Sequence, residues 1–113
     1  AALPQLVRRL GRYARANITA RPAAARWQGI LHEQRGDEVA ALRCLRRSLA
    51  EAQKLQMPYD EAEAHEALGR LGLSGTTAAL RAALPEATAL HHLDRSRELF
   101  ARLGVRWMIE EKS

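Results

Sequence analysis

Four histidines, one cysteine and a glycine-rich stretch are the residues in this chain whose types could do chemistry. His65-Glu66 begins the HExxH pattern, in which two histidines one helical turn apart hold zinc and the glutamate between them acts as a base. The second histidine would fall at Gly69, so the pattern stops half-built. His91 and His92 are adjacent, which on a helix turns their side chains about 100° apart, unsuited to chelating one ion together. His32 stands alone, and all four read as surface or boundary histidines. Cys44 flanks an apolar stripe and reads as a small, partly buried residue rather than a reactive thiol. No serine has a base and an orienting acid in a recognisable pattern around it. The glycines of "GRLGLSG" lack the lysine and hydroxyl of a phosphate loop, and no strand precedes them. The expectation is a protein that is not an enzyme and takes neither metal nor cofactor.

The elements that position these residues are helices. The 113 residues are 47% hydrophobic but only 4% aromatic, with alanine supplying much of the apolar total. Alanine favours helix and lets helices approach closely. No run of β-branched alternation suggests a strand. Apolar periodicity predicts a helix over about 3–18 and a second over about 22–34, opened by Pro22 and with Ala24, Trp27 and Leu31 buried. After the Arg35-Gly36-Asp37 turn a third helix spans about 38–56, its inner face marked by Val39, Leu42, Leu45, Leu49 and Ala52. A fourth covers about 59–71, ended by Gly72, Ser74 and Gly75. Thr76 or Thr77 caps a short helix through Leu84, and Pro85 opens a last long one with Ala89, Leu93, Ser96, Phe100 and Leu103 inside.

Internal repetition organises these helices. "CLRRSLAEAQKLQMPY" at 44–59 lies without gaps on "HLDRSRELFARLGVRW", whose His92 stands 48 positions after Cys44. "AAARWQG", ending in Gly29, aligns with "AEAHEALG", ending in Gly69, 40 positions later. In both, a glycine follows an alanine-rich turn, where a paired helix must come close. The difference between the offsets places an eight-residue insertion in "LSGTTAALRAALP".

Gly29, Gly36-Asp37 at the turn, Ala41, Leu45 and Pro58 resemble a tetratricopeptide repeat. Trp27 lies near the family's large aromatic position, and the pairs are longer than the family's usual period of about 34 residues. "LAEAQKLQMPYDEAEAHEALGRL" and "HLDRSRELFARLGVRW" resemble the tetratricopeptide-like repeats at the C-terminal ends of large bacterial signalling ATPases, including LuxR-type transcriptional regulators and multidomain kinase or cyclase proteins. The resemblance covers about residues 10–107. It implies an all-α fold: antiparallel helical hairpins stacked as a short solenoid of about five main helices plus one short inserted helix. The divisions would be 1–20 as the helix of a preceding half-repeat, 22–57 and 58–104 as hairpins, the insertion near 73–84, and 105–113 as a tail. The chain reads as a fragment of a larger protein.

The implied function is a regulatory or protein-binding module. By register from Gly29 and Gly69, the groove side takes Arg26, Ile30, Glu33, Glu63, Glu66 and Arg70, suited to a peptide, a helix or another domain of the parent chain. Trp107, Met108 and Ile109 form an apolar cluster that would meet a neighbouring unit or a second copy. The net charge of +5 and a pI near 10.3 open a second reading, a nucleic-acid-binding domain using the arginines of the first and third helices. Interspersed acids and the lack of stacking aromatics weigh against it. A single cysteine forms no internal disulfide, and no apolar run spans a bilayer, so a cytoplasmic protein is expected.

Overall fold

A computed structural model describes residues 2–104, and these are all-helical. Helix α1 (Ala2–Ala16) is followed by a 3₁₀ turn (Ile18–Ala20), α2 (Arg21–Gln34), α3 (Glu38–Lys54), α4 (Pro58–Ser74), the short α5 (Ala78–Ala83) and α6 (Glu86–Arg102). The expected C-terminal cluster of Trp107, Met108 and Ile109 lies outside the described residues.

Local chemistry accounts for most boundaries. Asp37 caps α3 by accepting the Ala40 N–H at 3.1 Å, and Thr77 caps α5 by accepting that of Leu80 at 3.2 Å. Helix α2 ends in a Schellman turn: Asp37 N–H donates to His32 O at 2.9 Å and Gly36 N–H to Glu33 O at 3.0 Å, with Gly36 at φ 81°. Helix α3 ends the same way, Met57 N–H donating to Ala52 O at 2.9 Å, but the left-handed position is Gln56 at φ 53°. A side chain there is strained, since its Cβ crowds the following carbonyl.

Two helix pairs dominate the packing, α2 with α3 and α4 with α6, and α3 with α4 joins them. Each pair runs antiparallel. In the first, Ser48 Oγ donates to Pro22 O at 2.6 Å at one end, while Gly29 meets Ala41 and Leu45 towards the other. In the second, Tyr59 packs edge-on to Phe100 and Gly69 meets Leu93 and Ala89. The glycines make the close approach possible. A Cβ on Gly29 would stand 2.8 Å from Leu45 side-chain atoms and 3.2 Å from Ala41 O; one on Gly69 would stand 2.5 Å from Leu93 Cγ and 2.9 Å from Ala89 O. The same trio of contacts thus recurs, displaced by the offsets of 40 and 48 read from the sequence.

Four expectations need correction. Helix α4 does not stop at Gly72: it runs to Ser74, and Gly72 sits inside it because a Cβ there would meet the Ala89 methyl at 2.5 Å. Val39 (47% exposed) lies on the outer face of α3, and Trp27 (38%) and Leu103 (41%) are also exposed. The short helix expected in the inserted region is α5, and its segment takes part in the core. Leu80 and Leu84 are buried with Ala41, Leu42, Leu45, Leu68 and Leu71 in the main core. Helix α5 is fastened to α3 at both ends, its leading Thr76 and Thr77 N–H groups donating to the Glu38 carboxylate at 2.9–3.1 Å and Arg46 donating to Ala83 O at 2.8 Å. An acid at the N-terminal end and a cation at the C-terminal end also match the helix dipole.

Candidate functional site

The six expected groove residues do come together, on the face where α2 meets α4, and there they largely engage one another. Arg26 pairs with Glu63 across the helices at 3.3 Å, with side chains only 15% and 17% exposed. The Arg26 guanidinium also lies 5.3 Å from the Trp27 ring centroid, while its Nε is buried without a hydrogen-bond partner. Glu66 and Arg70 approach to 3.9 Å along α4, with Arg70 reaching furthest into solvent. Ile30 is half-buried between the charges. Burial pushes the Glu33 carboxyl above its ordinary range, with Glu38 adding to the effect and Ser74 and Arg70 opposing it. The result is a mixed-charge seam with an aliphatic residue in the middle. Exposed Arg70 and partly buried Glu33 offer a donor and an acceptor to a docked chain.

The histidines depart furthest from expectation. His65 is buried, not superficial, and its Nδ1 lies 2.9 Å from Nδ1 of the partly buried His92. One of these nitrogens must donate and the other accept. His65 Nε2 faces Glu61 Oε2 at 3.5 Å, so the consistent assignment has His65 protonated on Nε2 and His92 donating from Nδ1. Burial lowers the pKa of both rings. Glu61 opposes the shift at His65, whereas His65, His91 and Arg46 reinforce it at His92, which falls to about 4. The pair is therefore neutral at physiological pH.

The repeat itself carried a signal for this pair. Offsets of 40 and 48 place His65 and His92 where the first pair of helices has Ala25 and Cys44, both buried. The two histidines therefore fall on positions that the first pair of helices keeps buried. Among the described residues no group of three histidine, cysteine or carboxylate side chains is placed to hold a metal ion, and no helix is long and apolar enough to cross a membrane. No family model, no curated protein and no solved structure matches the chain.

Proposed function

We propose that the chain is a non-catalytic protein-interaction module built from tetratricopeptide-like helical hairpins stacked as a short solenoid, serving a bacterial signalling or transcription-regulatory protein. The observation that carries this reading is the recurrence of the Gly29–Leu45–Ala41 contact as Gly69–Leu93–Ala89. A close approach by the same residue types in the same register at two separate helix pairs is what duplication of a hairpin leaves behind, and hairpins that share a core present a continuous helical surface. The α2–α4 seam is the face on which a peptide, a helix or a neighbouring domain would lie, with Ile30 as the apolar contact and Arg70 and Glu33 as polar ones.

A displayed peptide library selected on the folded chain tests this. Binders should lose affinity when Ile30→Asp or Arg70→Glu is introduced with circular dichroism unchanged. Selected peptides indifferent to both substitutions would remove the seam as the docking face.

A further inference from the structure

On another side of the molecule, sharing no residue with the seam, α1, α2 and α3 surround a concave surface rich in arginine. It consists of two adjoining clefts of about 230 and 460 Å³ that have Gly11, Arg15 and Gln28 in common. Arg8, Arg12 and Arg15 enter from α1, Arg21 from α2 and Arg47 from α3. In the sequence these arginines belong to three separate elements, and only the packing gathers them. Positions 8, 12 and 15 follow one flank of α1, spanning about 10 Å along the axis. Among the described residues none of Arg8, Arg12, Arg15 and Arg21 is in an ion pair. Arg47 is held in position, donating to Gln28 Oε1 at 2.9 Å, so its planar fork is ordered before anything binds.

Glu51 is the only acid on either lining, and its Oε2 is buried without a hydrogen-bond partner. It decides between ligands. A phosphodiester chain offers acceptors to the arginines but no donor to Glu51, and no aromatic ring lines the clefts to stack a base. The floor is apolar, with Val7, Ala14, Ala24 and Ala25 buried beneath the charges. A helical protein segment satisfies all three features. Its carboxylates spaced four and seven residues apart match the α1 arginines, its apolar side meets the floor, and the free N–H groups of its first turn donate to Glu51.

We propose that this cleft docks an acidic helical segment of a partner protein, with its N-terminus at Glu51 and its carboxylates on Arg8, Arg12 and Arg15. The test is fluorescence anisotropy of the full chain at near-physiological salt. The probe is a labelled alanine-rich helical peptide with glutamates four and seven residues apart, compared with its lysine counterpart and with a labelled DNA duplex. The acidic peptide alone should saturate. The combined substitution Arg8→Gln, Arg12→Gln and Arg15→Gln should weaken it about 10-fold or more, as expected for several cooperating charge pairs. Removing as much charge from α6 and the α2–α3 turn, by Arg97→Gln, Arg102→Gln and Arg35→Gln, should leave it within about 2-fold. Glu51→Ala should weaken the peptide as well. An equal loss in both triple variants, tighter peptide binding on Glu51→Ala, preferential binding of the duplex, or no binding at all would each overturn the proposal. Far-ultraviolet circular dichroism of every variant identifies any that fails to fold. In that event the single substitutions Arg12→Gln and Arg97→Gln carry the same comparison.

Discussion

Replacing the buried histidine pair by its counterpart from the first helix pair, as His65→Ala with His92→Cys, should flatten the pH dependence of stability. In the native state both rings are held neutral, with His92 at about 4. In the unfolded chain each titrates near its ordinary value of 6.5. Above that value neither state binds the proton and the fold has its full stability. As pH falls below 6.5 the unfolded chain takes up protons that the native chain refuses, and stability is lost until the folded value is reached. For His92 the fall from 6.5 to about 4, at about 1.36 kcal/mol per pKa unit, sets an upper bound of about 3 kcal/mol. The ring is partly exposed, and solvent screening reduces the expected loss to about 1–2 kcal/mol by pH 5. Urea denaturation followed by circular dichroism at pH 7.5, 6.5, 5.5 and 5.0 measures it. The range stops at 5 because the Glu38 carboxyl, lowered by its bonds from Thr77 and Thr76, loses its contribution only as pH falls below the ordinary 4.5. Glu33, raised by burial, acts in the opposite sense and is common to both proteins. If wild type and variant lost the same stability between pH 7.5 and 5.0, the buried pair would not be the source and the reasoning would fail.

Gly69→Ala should destabilise by about 1–3 kcal/mol, because the new methyl meets the Ala89 carbonyl as well as Leu93. Gly29→Ala should cost less, because the equivalent contacts there are looser, 2.8 Å to Leu45 and 3.2 Å to Ala41 O against 2.5 Å and 2.9 Å at Gly69, and thermal melts of the two variants would rank them. Gln56→Gly should raise stability by about 0.5–1 kcal/mol by relieving the left-handed position at the end of α3, measurable as a higher urea midpoint with unchanged slope. Leu80→Ala should cost about 2–4 kcal/mol despite lying in the inserted segment, since its side chain is buried in the main core. A change under 0.5 kcal/mol there would mean that α5 is only loosely docked.

The helices were legible in the sequence because their signals are local. Proline at the start of α2, Asp37 and Thr77 as caps, and Gly36 at a left-handed turn each act within a few residues of their own position. The two close crossings were legible for a related reason: a glycine is needed wherever a paired helix comes this near, and Gly29 and Gly69 mark both places. Two local signals misled. Gly72 reads as a helix breaker when its neighbour α6 is unknown, and the apolar Val39 fits an inner stripe until the packing turns it outward.

What only the tertiary structure decided is which charges meet. Burial of His65 depends on α6 lying across α4, and the His65–His92 contact joins residues 27 positions apart. Arg26 looked like a groove residue awaiting a ligand, but α4 supplies Glu63 at 3.3 Å. The arginines of α1 are a row on one helix in the sequence, and only the packing of α2 and α3 adds Arg21, Arg47 and Glu51 around them. Composition and periodicity fix where a helix lies and which side is apolar. The partner of a long polar side chain depends on the rotation and separation of neighbouring helices, set by the whole core and by the glycines that let it close.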